Sequence, residues 1–233
     1  NTARVVGKVD RVDGWEHGGK LYLRVVDYKT GKKTFDLAEL RYGLGLQMLL
    51  YLFALEQEGG ALFGGKEIVP AGVLYTPARE PMLRCARNTA DETIEKARKK
   101  ELRRSGMVLE DPAVLEAMEH DALDAPEYLP IAVKKGGALS GSLASEGQFA
   151  KLAKYVDRVL REIADEVFAG NINADPYART PQQSACTYCE FASACHFENG
   201  RGGDHMEYIK ATKTDEFWSY IDEVNGEGGR KNG

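Results

Sequence analysis

The sequence predicts an α/β fold, a mixed sheet flanked by helices. Three observations carry this. Two strand-like runs, 4–13 and 20–29, flank the dipeptide Gly18-Gly19. A long and nearly continuous apolar helix pattern follows at 36–58, and a third strand-like run comes at 68–76. Strand, strand, helix, strand in that order is the layout of a sheet that buries a helix on one face.

The first two runs read as a hairpin, because a Gly-Gly pair supplies the backbone freedom that a two-residue turn demands. If the turn is centred between the glycines, Asp10 lies directly opposite Asp27, with Cβ atoms about 4.5–5.5 Å apart. Asp27 and Lys29 stand two residues apart on one strand and so share a face. The segment Gly14-Trp15-Glu16-His17 would upset this count if it widened the loop. In that case the hairpin carries only solvated charges.

Asp36 is a candidate N-cap for the helix 36–58, and Gly59-Gly60 ends it. Apolar residues cover most of its circumference, so it is expected to be buried. Gln47 is the polar exception in its middle, and Tyr51 lies four residues on, on the same face. In the run 68–76, Pro70 suggests a strand start or an edge. Residues 89–104 and 111–120 read as charged helices, the second opened by Asp111 and Pro112. Residues 126–148 are irregular, and the Gly/Ser-rich stretch 136–147 is expected as a mobile loop or a hairpin. Residues 148–169 show an amphipathic stripe of Phe149, Leu152, Val156, Val159, Leu160, Ile163 and Val167, with Gly170 at the C-terminal end. This gives one domain over 1–198 with a cysteine-rich segment at 185–198. A polar tail, 199–233, is expected to be partly disordered, with one short docked helix around 216–221.

Composition narrows the function classes. The chain has 233 residues and a net charge of −5. That is enough for one sizeable core, and it argues against a protein that coats nucleic acid by charge alone. It does not argue against an acidic enzyme whose metal supplies the positive charge. The basic run Lys96, Arg98, Lys99, Lys100, Arg103, Arg104 reads first as a solvated helix face and second as a phosphate contact. No apolar run has the length of a membrane span, and no signal peptide opens the chain. It starts at Asn1 without Met and enters a strand at once, as a piece of a longer polypeptide would.

Two constellations carry chemistry. Two carboxylates facing each other with a lysine alongside are what metal-dependent phosphodiester hydrolysis needs. The carboxylates hold Mg²⁺ or Mn²⁺ through oxygen, and the lysine orients water and offsets developing charge. The second is Cys186-x2-Cys189-x5-Cys195, whose spacing favours metal or cluster ligation over disulfides. Iron–sulfur and zinc both remain open, with His196 or His205 as a fourth ligand for zinc. Cys85 reads as a core or surface thiol. Gly31-Lys32-Lys33-Thr34 resembles the end of a P-loop, but Val26 stands where its first glycine belongs.

The stretches Gly7-Lys8-Val9-Asp10-Arg11-Val12-Asp13, Val26-Asp27-Tyr28-Lys29-Thr30-Gly31 and Leu46-Gln47-Met48-Leu49-Leu50-Tyr51 together resemble the successive motifs of the RecB-type PD-(D/E)XK nucleases. Pro70-Ala71-Gly72-Val73-Leu74-Tyr75 and Ala185-Cys186-Thr187-Tyr188-Cys189-Glu190-Phe191 narrow the resemblance to the C-terminal nuclease domains of the AddB family. It spans about residues 3–198. It implies a restriction-endonuclease-like core and a Mg²⁺- or Mn²⁺-dependent exonuclease. Such an enzyme acts on DNA ends in double-strand break repair, beside an AddA-like helicase–nuclease subunit, in the bacterial cytoplasm. It implies that Asp10 and Asp27 ligate metal, that Lys29 is catalytic, and that Gln47 and Tyr51 support them. Cys186, Cys189 and Cys195 would be three of the four ligands of a [4Fe–4S] cluster. The family's fourth cysteine lies upstream of the point where this chain starts, as does its first helix. A catalytically silent module that binds DNA ends, and a zinc-binding domain of unrelated function, are the alternatives.

Overall fold

The computed structural model describes residues 3–226. Its strands in chain order are β1 (Arg11–His17), β2 (Lys20–Lys29), β3 (Glu67–Pro77), β4 (Ser105–Leu109), β5 (Ile131–Val133), β6 (Leu139–Gly141), β7 (Leu143–Ala144), β8 (Tyr177–Thr180), β9 (Gln183–Ser184) and β10 (Glu207–Tyr208). Its helices are α1 (Leu37–Arg41), α2 (Gln47–Glu58), α3 (Asp91–Glu101), α4 (Pro112–Met118), α5 (Glu146–Ala169), α6 (Ala192–Cys195) and α7 (Thr214–Gly226). The chain divides into two compact units. One comprises Val5–Phe35 and Gly45–Lys154; the other is built from Asp36–Leu44 and the chain from Tyr155 onward.

The first unit holds a five-stranded mixed sheet in the order β1-β2-β3-β4-β7. The pairs β1–β2 and β3–β4 are antiparallel, and β2–β3 and β4–β7 are parallel. Gly18 and Gly19 both have positive φ, +58° and +80°, the signature of a type I′ turn whose twist matches its strands. The ladder runs from His17↔Lys20 to Arg11↔Val26, which is the register expected from a turn centred on the glycines. Trp15, Glu16 and His17 do not widen the loop. They belong to β1, where Trp15 and His17 stack on one face with centroids 4.6 Å apart. The expected first strand is shifted: residues 3–10 are not in a strand, and β1 starts at Arg11.

β3 is nearly all buried, as a central strand covered on both faces should be. Although β3 is a central strand, at Pro70 it is paired only on its β2 side, so the expected edge is a local one. Pro70 lies outside the β3–β4 ladder, which covers only Gly72–Tyr75, and next to a register shift against β2. A residue without an N–H is tolerated there. α2 packs on β2 and β3 through Met48, Leu49, Leu52 and Phe53. A second cluster gathers Leu74, Val108, Leu115, Ala122, Leu129 and Ile131. Strand β4 carries part of it, although residues 105–109 gave no strand signal. The Gly/Ser-rich stretch forms a hairpin, β5–β6.

The expected helix 36–58 is two helices. Gly43 and Gly45 take positive φ, +72° and +68°, a conformation an α-helix cannot contain. The break puts α1 and α2 in different units. Asp36 does cap α1, accepting from the Ala38 N–H at 2.8 Å, and Asp111 caps α4 by accepting from Ala113 and Val114.

In the second unit the Tyr155 hydroxyl donates to the carbonyls of Leu40 and Arg41 at 2.7 and 3.0 Å. Burial pushes that phenol well above its ordinary range, with Tyr220 adding to the effect. The segment after Asn199 carries β10 and the 13-residue α7, whose Phe217 and Ile221 are fully buried. Of the tail 199–233, expected to be partly disordered, residues 227–233 lie outside the described residues. α5 spans the expected amphipathic run, but its apolar stripe is buried only as far as Val159; Ile163 and Val167 are exposed.

Candidate active site

The carboxylate–lysine pair sits at the C-terminal end of β2. Lys29 Nζ lies 2.7 Å from Asp27 Oδ2, with the Asp27 side chain 16% exposed and that of Lys29 36%. They meet because strand residues two apart share a face. Lys29 Nζ also lies 5.7 Å from the centre of the Tyr75 ring, and Tyr75 is the β3 partner of Asp27. Asp10 immediately precedes the first paired residue of β1, so continuing the ladder by one step brings it opposite Asp27. Its Oδ2 accepts the Tyr28 N–H at 3.3 Å. The Asp10 carboxylate therefore rests against the peptide that joins Asp27 to Tyr28.

Gln47 is exposed and opens α2, rather than lying buried in mid-helix. Its Nε2 donates to the Tyr51 hydroxyl at 3.0 Å, so the i, i+4 pairing read from the sequence is present. The Tyr51 ring lies close against Gly7: a Cβ at that position would be 2.5 Å from Tyr51 Cε1. Gly7 and Tyr51 thus pack together, three residues upstream of Asp10.

A third polar feature was not foreseen. Asp13 accepts from Arg11 Nε at 2.6 Å and from Arg24 Nε at 2.9 Å, and Arg11 also donates to the Tyr28 hydroxyl at 2.9 Å. Burial raises the Asp13 carboxyl, but the bonds from Arg11 and Arg24 outweigh it and hold the group below its ordinary value. The alternation of Arg11, Asp13 and Arg24 on paired strands was the signal available in sequence.

Asp10 and Asp27 suit a hard cation. Mg²⁺ is commonly held by one or two carboxylates, with water and substrate phosphate completing its shell. Among the described residues no group of three or more His, Cys, Asp and Glu side chains comes together to hold a metal ion. Cys186 is half-buried, Cys189 and Cys195 are exposed, and all three are free thiols. Their soft donors match an iron–sulfur cluster or zinc, but the fold does not converge them on a common point, with or without His196 or His205. Cys85 is an exposed surface thiol. No described helix is long and apolar enough to cross a membrane.

The chain matches the PD-(D/E)XK nuclease superfamily over residues 1–196. It is also similar to bacterial proteins whose names make them a subunit of an ATP-dependent helicase/deoxyribonuclease. The one from Thermoanaerobacter sp. (strain X514) is 33% identical over 227 residues, covering 96% of this chain and 20% of the relative. Those from Ruminiclostridium cellulolyticum and Acetivibrio thermocellus are 32% and 35% identical, each covered to 19% of its length. The chain therefore spans about a fifth of the length of these curated relatives. A mixed sheet flanked by helices, with the carboxylate–lysine strand within it and a superfamily match over most of the sequence, makes the chain a member of the PD-(D/E)XK nuclease superfamily, with its restriction-endonuclease-like fold.

Proposed function

We propose that this chain is the nuclease domain of a bacterial helicase–nuclease. In this reading it cleaves DNA as a Mg²⁺- or Mn²⁺-dependent exonuclease during end resection and recombinational repair. The observation that supports this most directly is the contact of the Asp10 carboxylate with the Asp27–Tyr28 peptide, with Lys29 paired to Asp27. The names of the relatives support the helicase partnership. An AddA-like subunit and DNA ends are the partners, and the cytoplasm is the compartment.

Asp10, just before β1, and Asp27, in β2, hold the cation. When bound, it supplies Lewis acidity and lowers the pKa of water. Lys29 keeps the Asp27 carboxylate oriented through their ion pair. Its ammonium places a fixed positive charge where the scissile phosphate gains negative charge, and one of its N–H groups holds the attacking water. The Gln47–Tyr51 pair orients the phosphate or the water from the start of α2. In the same reading the thiolates of Cys186, Cys189 and Cys195 serve a [4Fe–4S] cluster only where a longer protein both supplies a fourth ligand and draws the three together, and no catalytic step runs through it.

The test is cleavage of an end-labelled linear duplex across a range of Mg²⁺ concentrations. Asp27→Ala should abolish cutting while binding persists. Lys29→Ala should lower kcat by about 10²–10³, the usual effect of removing one preorganised group that stabilises transition-state charge, and excess Mg²⁺ should not restore it. Near wild-type cutting by both variants would overturn the nuclease reading in favour of a silent DNA-binding module.

A further inference from the structure

The chain that leaves β2 is held at both ends. The Lys29 carbonyl accepts the Ala78 N–H at 2.9 Å, and the Phe35 N–H donates to Ser105 Oγ at 2.7 Å. Between these anchors, residues 31–34 form one wall of a cavity of about 200 Å³, closed by the end of β3, the end of α3 and the start of β4.

The charge of this cavity is opposite to that of the chain. Lys29, Lys32, Lys33, Arg79, Lys100 and Arg103 line it, against a single carboxylate, Glu101. Arg79 pairs with Glu101 at 3.4 Å, and Arg103 donates to the carbonyls of Leu129 and Ile131. The side chains of Lys32 and Lys100 have neither an ion pair nor a hydrogen bond among the described residues. Converging cations repel one another, and an anion in their midst relieves that repulsion. Ser105 adds a neutral donor: its oxygen already accepts from Phe35, so its own hydrogen is available to a ligand.

The lining also says what kind of anion fits. Tyr75 is its one aromatic residue. That ring is 5% exposed and has Lys29 Nζ over it, so it presents no face on which a base could stack. Recognition here is of phosphate without base. Lys29 belongs to this cavity and to the Asp27 pair at once, so a strand with its scissile phosphate at Lys29 carries a neighbouring phosphate into the cavity. We propose that the cavity is a backbone-phosphate subsite for the strand being cut, gripping a phosphate beside the scissile one and reading no base. This rests on the nuclease reading above.

The experiment measures binding of fluorescein-labelled oligodeoxythymidine and a mixed-sequence oligonucleotide to the full 233-residue chain by anisotropy, in EDTA, over a range of salt. Single-strand binding falls with log[salt] at a slope of about −0.7 per phosphate contact. Lys32→Ala/Lys100→Ala, which removes the grip on that one phosphate, should make the slope shallower by about 0.7 and weaken binding several-fold at low salt, equally for both oligonucleotides. Lys32→Arg/Lys100→Arg should restore both. With Mg²⁺ the alanine double variant should raise KM and spare kcat, as loss of uniform binding does. Lys96→Ala/Arg98→Ala removes the same charge outside the cavity and should leave the slope unchanged. An unchanged slope in the cavity variant would overturn the proposal, as would an equal change in the control. A sequence-dependent loss, or inorganic phosphate that competes as well as the oligonucleotide, would do the same. Because binding is read without metal, failure of this subsite is separate from failure of Asp27-dependent cleavage.

Discussion

A methyl group added at Gly7 would land 2.5 Å from Cε1 and 2.7 Å from the hydroxyl of Tyr51, where non-bonded carbons rest at about 3.5–4.0 Å. One of the two must move. Gly7 is exposed, and the atoms it meets are at the far end of a side chain, so the ring swings and the fold survives. Stability should change by no more than about 0.5 kcal/mol, as at most surface positions. The swing displaces the hydroxyl that accepts from Gln47 at 3.0 Å. A neutral hydrogen bond of this kind contributes about 0.5–1.5 kcal/mol. If it orients the reacting groups, Gly7→Ala should lower kcat roughly 2- to 13-fold while the urea midpoint barely shifts. The assay is a double-mutant cycle on cleavage at saturating DNA with Gly7→Ala, Tyr51→Ala and both. With Tyr51 removed there is no ring to displace, so Gly7→Ala should have no further effect. An equal loss in both backgrounds, or no loss in either, would refute the role given to this contact.

Two further predictions concern stability. Asp13 has its carboxyl lowered in the folded state, so its contribution is full above the unfolded value, near ~3.9, and is lost as pH falls through the folded value. Asp13→Asn should cost about 1 kcal/mol at neutral pH and flatten the loss of thermal stability below about pH 4; parallel acid limbs would count against the network. Tyr155→Phe leaves the carbonyls of Leu40 and Arg41 without their buried donor and should cost about 1–2 kcal/mol in urea unfolding, a prediction that a neutral result would sink.

The hairpin was legible because its signals are local. Two adjacent glycines fix the turn, and the turn fixes the register that puts Asp10 opposite Asp27. The Gln47–Tyr51 pair was legible for the same reason, as an i, i+4 spacing inside one helix. What failed was non-local. The helix 36–58 looked continuous because Leu40, Leu44 and Met48 keep a helical period across Gly43 and Gly45. A period cannot show that two glycines take positive φ. β4 was missed because Ser105-Gly106-Met107 carries no alternation, and its strand exists through pairing with β3. The cationic cavity was hidden because its lining comes from three separate stretches. Lys100 and Arg103 read as a solvated face until β3 and the post-β2 segment are seen to close around them.

The two carboxylates differ in how the backbone holds them, and under the proposed nuclease reading that difference bears on catalysis. Asp27 lies in β2, which pairs with β1 on one side and β3 on the other, and Asp27 itself is in register with Tyr75. Asp10 lies just outside the edge strand β1, one residue before its ladder begins, and accepts one 3.3 Å hydrogen bond from the Tyr28 N–H. A group outside the ladder moves at lower cost than one inside it. In the proposed reading Asp27 would therefore be the carboxylate that fixes where a cation is held beside Lys29, and Asp10 the one that adjusts. The same strand end also leads directly into the cationic wall at 31–34. Asp27 and the ammonium groups of Lys29, Lys32 and Lys33 are thus set in sequence along one segment. An acidic chain in this way presents a cationic cavity beside its Asp27–Lys29 pair.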